Sequence, residues 1–214
     1  MKIDTILFDL DGTLINTNDL IIASFTHTLE QFKPKQYTRE DIISFIGEPL
    51  MDSFTRVDET SVAEMVRTYK EHNLAHHEKY VQPYEGVAYT VKTLHEKGFK
   101  LGIVTTKMRD AVELGLEITG LGEYFTTIVT IDDVERAKPD PQPVTLALDK
   151  LQSDTASAIM VGDSKYDIEA GKNAGTLTAA VAWTIKGREA LERSEPDFML
   201  EEMPDLLKVL EVNV

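Results

Sequence analysis

Five short apolar runs, rich in β-branched residues and separated by stretches of helical spacing, constrain this chain more than any other feature. They are IDTILFD (3–9), KLGIVTT (100–106), FTTIVTI (125–131), SAIMVGD (157–163) and LTAAVA (177–182). Runs this short and this continuously apolar read as strands buried on both faces. Between the later ones, segments 86–98, 109–119, 141–151 and 166–174 are amphipathic. In the first of these Val87, Val91 and Leu94 recur at i, i+4 and i+7, and Gly98 ends the pattern. Alternation of strand and helix predicts an α/β fold, a doubly wound, Rossmann-like parallel sheet with helices on both faces.

One interval breaks the alternation. Between residues 16 and 82 the patterns are helical: 18–32 with Leu20, Ile21, Phe25 and Leu29, then 39–46, 50–56 and 59–79. Lys33-Pro34, Gly47-Glu48-Pro49 and Gln82-Pro83 punctuate them. The expected organisation is a core built from 1–15 and 83–214, with an all-α domain (16–82) inserted after the first strand. The tethers INTN (15–18) and VQPYEG (81–86) suit hinging. Phe45, Met51, Phe54, Met65 and Tyr69 are read as packing residues of the insertion, and Trp183 as core or rim. A short amphipathic helix is expected after Pro204.

Composition bounds the function. Lys plus Arg number 22 against 37 Asp plus Glu, a net charge of −15, which argues against a nucleic-acid surface. An anionic substrate stays open, because a bound divalent cation inverts the local field. With no cysteine, disulfide and thiolate chemistry are excluded. The opening MKIDTILFDLDGTL is interrupted by acids too early for a signal peptide or membrane span, so a cytoplasmic protein with no membrane partner is expected.

In an open parallel sheet, ligands bind beyond the carboxyl ends of the strands. Those ends carry Asp9-Leu10-Asp11-Gly12-Thr13, Thr105-Thr106-Lys107, Lys138 in the loop AKPDP, and Gly162-Asp163-Ser164 with Asp167 four positions on. Strand residues i and i+2 face the same way, so Asp9 and Asp11 are expected to address one site. Joined by Asp163 and Asp167 they make four converging carboxylates, whose repulsion a hard cation such as Mg²⁺ would relieve. Carboxylate, cation, Lys138 and the Thr105 hydroxyl together suit phosphoryl transfer, with Asp9 attacking phosphorus and Asp11 moving protons.

DLDGT, a strand-end Thr, a Lys followed by Pro, and GDSKYD, in that order, resemble the haloacid dehalogenase (HAD) superfamily of phosphohydrolases across nearly the whole chain. The insertion resembles that family's cap domain. The resemblance implies Asp9 as nucleophile and metal ligand, and Asp11 as acid/base whose backbone carbonyl also ligates Mg²⁺. It implies Thr105 and Lys138 as the phosphate-binding pair, Asp163 as a direct metal ligand and Asp167 as a supporting one. Within the superfamily the chain is similar to the phosphoglycolate-phosphatase-like branch. GIVTTK, AKPDPQPV, MVGDSKYDIEAGKNAG and VAWTIKG resemble bacterial inorganic pyrophosphatases linked to the HPr kinase/phosphorylase system. Thr106 stands where phosphoglycolate phosphatases usually carry Asn, which favours pyrophosphate over 2-phosphoglycolate. A phosphomutase and a phosphoacceptor signalling module are the remaining alternatives.

Outside these motifs, His72, His76 and His77 have a spacing that suits a transition metal, a solvated face, or groups that meet substrate. Asp132 and Asp133 are left outside the site. Glu48, Arg56 and Arg67 are candidate substrate contacts from the insertion. The expected partner is pyrophosphate or another small phosphorylated molecule, and oligomeric state is not legible.

Overall fold

The structure, a computed structural model, describes residues 3–212. β1 (Thr5–Phe8) runs into a turn and then β2 (Ile15–Asn16). Five helices follow: α1 (Asn18–Phe32), α2 (Arg39–Phe45), α3 (Leu50–Val57), α4 (Val62–Ala75) and α5 (His77–Tyr80). The chain returns through β3 (Gln82–Pro83) to α6 (Val87–Glu96), β4 (Lys100–Val104), α7 (Arg109–Thr119), β5 (Thr127–Val129) and α8 (Gln142–Leu151). It closes with β6 (Ala158–Gly162), α9 (Lys165–Ala174), β7 (Leu177–Val181), α10 (Arg188–Glu192), β8 (Phe198–Leu200) and α11 (Asp205–Val209).

The main sheet has the order β5-β4-β1-β6-β7-β8, and every pair in it is parallel. Side chains alternate across β1. Ile6 and Phe8 join the core under α6, α7 and α11, whereas Leu7 joins Val144, Leu148 and Met160 on the face covered by α8 and α9. Both faces are therefore dry, which explains why the strand runs are apolar throughout. The sheet has six strands where the sequence suggests five, because β8 is a three-residue edge strand, too short to show a period. Phe8 aligns with Ile103 on one side and Val161 on the other, so the three strands finish within one residue of each other. β1 is also the point at which strand order reverses, and the crevice over its carboxyl end is where such a sheet offers a site.

Of the five helices between β2 and β3, α5 packs Tyr80 against the main core, whereas the other four, α1 to α4, enclose a core of their own. Phe25 sits at its centre, with ring centroids 4.9 Å from Tyr69, 5.4 Å from Phe54 and 5.5 Å from Phe45. Met65 is buried with them, but Met51 is 63% exposed and so is not a packing residue. The expected helix 59–79 starts later and breaks at His76 into α4 and α5. The two connections to the sheet pair with each other as an antiparallel ladder, Ile15 opposite Pro83 and Asn16 opposite Gln82. Trp183 is partly buried at the rim of the main core, with its ring centroid 5.8 Å from that of Tyr84. No helix among the described residues is long and apolar enough to cross a membrane.

Candidate active site

Lys138 organises the floor of the crevice. Its buried ammonium donates to Asp9 Oδ1 (2.8 Å), Asp167 Oδ1 (2.5 Å) and the Val104 carbonyl (2.9 Å). An ammonium has three donors, so all are engaged within the protein. The peptide bond to Pro139 is cis. Asp167 is held from its other side as well: Oδ2 accepts from the Ser164 backbone N–H (3.0 Å) and hydroxyl (2.6 Å), the capping box that starts α9.

Asp163, almost fully buried, completes a cluster in which oxygens of Asp9, Asp163 and Asp167 lie within 4.8 Å of one another. Gly12 makes this approach feasible. It has φ +81°, and a Cβ there would fall 2.3 Å from Asp163 Oδ2. Three buried carboxylates face one ammonium, so negative charge is left over. Burial pushes Asp9 up to about 7 against the pull of Lys138, with Asp167 adding to the rise. Burial, then Asp167 and Asp9, raise Asp163 well above the ordinary carboxylate range. Such a cluster can hold a metal ion, which would restore the charge balance.

Asp11 opens on the same cavity but takes different partners. β1 ends at Phe8, and the following turn swings the Asp11 carboxylate toward the insertion. Its Oδ1 accepts from the Thr17 hydroxyl (2.6 Å) and the Lys107 ammonium (2.7 Å). The side chain is therefore outside the acidic cluster, and the four-carboxylate convergence expected from the strand ends is a convergence of three. Thr105 is buried at the cavity wall, its hydroxyl accepting from the Lys107 backbone N–H (3.1 Å).

The cavity, about 550 Å³, lies between these strand ends and the helical insertion. Across it, the loop joining α2 to α3 rests on the core. Glu48 accepts from the Tyr166 hydroxyl (2.7 Å) and pairs with Arg56, and Lys186 donates to the Ile46 carbonyl. Gly47, at φ +90°, lies close enough that a Cβ would stand 3.2 Å from that of Ser164. Glu48 thus lines the cavity as expected, whereas Arg56 meets it only through Glu48 and Arg67 does not line it. Asp132, set aside in the sequence, is a lining residue whose Oδ2 caps the Arg109 N–H at the start of α7 (2.8 Å). Asp133 pairs with Arg109 at 2.5 Å, outside the cavity lining.

The three histidines separate. His72 and His76 stack face to face with centroids 4.2 Å apart, and His27 stacks on His72 at 4.5 Å, so ring faces meet rather than nitrogens converging on an ion. His77 is fully buried, and burial followed by the nearby Lys107 charge holds it down at about 4.

Sequence reasoning missed Lys107 as the partner of Asp11, together with Thr17, Tyr166 and Lys186. Lys107 was legible as a strand-end residue directly after Thr105-Thr106. Thr17 is only six residues from Asp11 but depends on how the turn after β1 folds back, and Tyr166 and Lys186 reach the insertion across 118 and 140 residues.

Comparison with known proteins agrees with this geometry. Residues 6–181 match the family model of haloacid dehalogenase-like hydrolases. A protein from Anoxybacillus flavithermus named Pyrophosphatase PpaX is 60% identical over 212 residues, covering 99% of both chains. One of the same name from Bacillus cereus is 55% identical over 210 residues, covering 98% of this chain and 97% of its own. A haloacid dehalogenase-like hydrolase from Streptococcus pneumoniae superposes with a TM-score of 0.86, covering 97% and 98% of the two chains at 24% identity, which speaks to the fold alone. The chain belongs to the haloacid dehalogenase-like hydrolases.

Proposed function

We propose that this hydrolase splits inorganic pyrophosphate with the help of Mg²⁺, by way of a phosphoryl group carried on Asp9. One observation carries the chemistry: two carboxylates two residues apart open on one cavity, each tied to its own lysine. Pyrophosphate as the substrate is supported by the names of the relatives that are 55% and 60% identical.

Held by Lys138, Asp9 attacks one phosphorus, and the bond from that phosphorus to the bridging oxygen breaks. The departing phosphate takes a proton from Asp11. Asp11, now a carboxylate beside Lys107, accepts a proton from the water that cleaves the aspartyl phosphate, releasing the second phosphate and regenerating Asp9. Thr105 offers its hydroxyl to the phosphoryl oxygens. Because every Lys138 donor is engaged, its main part is to neutralise Asp9 and Asp167 rather than to grip the substrate.

The acidic cluster fits Mg²⁺ by its hard oxygen donors and its unbalanced charge. Asp9 and Asp163 would hold the ion with the Asp11 backbone carbonyl. Asp167, whose two oxygens are already engaged, would support from behind. When bound, the ion offsets charge on the transferring phosphoryl group. The helical insertion acts as a cap, excluding bulk water and large substrates.

The test is Mg²⁺-dependent phosphate release from pyrophosphate, 2-phosphoglycolate and sugar phosphates. Pyrophosphate with the highest kcat/KM is expected; a clear preference for 2-phosphoglycolate would replace the substrate and keep the chemistry.

A further inference from the structure

Pyrophosphate differs from other phosphorylated substrates in that its leaving group is itself a phosphate. In-line displacement sends that group away from Asp9, off the sheet and toward the cap. The cavity receiving it is acidic: Glu48, Asp52, Asp132 and Glu135 line it beside the catalytic pair. Lys138 has no donor to spare. A multiply charged anion in such a place needs another cation.

The cavity lining contains two, Lys107 from the core and Lys70 from the cap. Lys107 already serves Asp11. Lys70 is half-buried and has neither an ion pair nor a hydrogen bond to any described residue. Val66, Tyr69, Lys70 and Asn73 all line the cavity, the i, i+3, i+4, i+7 stripe of one face of α4. Lys70 is the single charge on that stripe and the single cation that the cap residues contribute to the lining.

We propose that Lys70 determines specificity by binding the leaving phosphate of pyrophosphate from the cap side, opposite Lys107, an assignment that rests on pyrophosphate being the substrate. A cation fixed there favours a leaving group that gains charge as the bond to the bridging oxygen breaks. It does less for a leaving group with a single charged oxygen. Lys70 therefore acts on kcat as well as on KM.

The experiment measures kcat/KM with Mg²⁺ for pyrophosphate and phenyl phosphate in the wild type, Lys70→Met and Lys70→Arg. Thermal melts check folding; with no hydrogen bond or ion pair to lose, both variants should fold. The expected result is a wild type that prefers pyrophosphate, and a pyrophosphate-to-phenyl-phosphate ratio that falls about 30-fold in Lys70→Met and recovers in part in Lys70→Arg. A wild type that prefers phenyl phosphate would sink the pyrophosphate reading itself. A wild type that prefers pyrophosphate, with a ratio moved less than fivefold by Lys70→Met, would overturn the role of Lys70 alone.

Discussion

Asp9 and Asp11 are the same residue type two positions apart, and each has a lysine within 2.8 Å, but the two pairs are built for different work. Lys138 is sealed beneath the crevice and shared with Asp167 and a backbone carbonyl, so Asp9 is clamped in one orientation. Asp11 is held by Lys107 and by the buried Thr17 hydroxyl, and Lys107, unlike Lys138, lines the cavity. A nucleophile benefits from immobility, because misplacement by an ångström is costly in rate. A proton carrier needs a partner that tolerates both of its charge states, and a lysine that lines the cavity, still able to meet water or substrate, meets that need. Residue type is the same in both pairs; under the proposed mechanism it is their partners and their placement that separate their roles.

The largest effect expected is on Asp9. Asp9→Asn should lower phosphate release by about 10⁴-fold or more with the fold retained, and near-normal turnover would remove the distinction between the two acids. Lys138→Met should next separate the pairs by stability. It leaves Asp9 and Asp167 without their cation, and denaturant titration should show a loss of about 3–5 kcal/mol. Lys107→Met breaks a pair that is also largely buried, with side chains 9% and 16% exposed. It leaves one carboxylate rather than two without a cation, and Asp11 keeps the Thr17 hydroxyl. The loss of stability should therefore be smaller, about 1–3 kcal/mol, while kcat/KM falls about 10- to 100-fold. Equal destabilisation by the two lysine variants would show that their partners do not separate the pairs.

The acidic cluster provides a further contrast. Mg²⁺ should raise the melting temperature of the wild type at neutral pH by stabilising the folded state in proportion to binding, and Asp163→Asn should abolish most of that rise. Asp11→Asn, which alters a side chain outside the cluster, should retain it.

The smallest effect concerns His77, behind the Asp11 pair. Its value of about 4 lies below the ordinary 6.5, so between those pH values the unfolded chain binds the proton that the folded chain refuses. Stability contributed this way is complete above pH 6.5 and is lost as pH falls toward 4. Chemical denaturation from pH 7 to 4.5 should show His77→Gln with a slope shallower by up to one proton, and an unchanged slope would mean that the buried ring titrates normally.

Much of the site could be read from sequence because acids and Thr at strand ends violate the apolar pattern that builds the strands. Asp9, Thr105 and Asp163 are conspicuous for that reason, whereas Lys138, in a loop well past β5, stands out only by its place between Thr105 and Asp163. Asp9 and Asp11 do open on one cavity, but strand geometry did not foresee that Asp11 stands outside the acidic cluster: period-two facing applies inside a strand, and β1 has ended before residue 9. The link from Glu48 to Tyr166 spans 118 residues and depends on how the cap seats, which no local spacing encodes. β8 was lost for want of length and the break at His76 for want of a Gly or Pro, and Met51 was misjudged because an apolar residue in a helix need not face inward.

The two-residue ladder between Ile15–Asn16 and Gln82–Pro83 has a mechanical consequence. Two separate straps would let the helical bundle slide and twist as well as swing; stitched together, they leave it a door on one pin. Thr17 is the first residue beyond that pin, and its hydroxyl touches Asp11. Under the mechanism proposed above, a swing of the door would tug on Asp11, holding that acid correctly when the door is shut on substrate and loosening it when the door stands ajar.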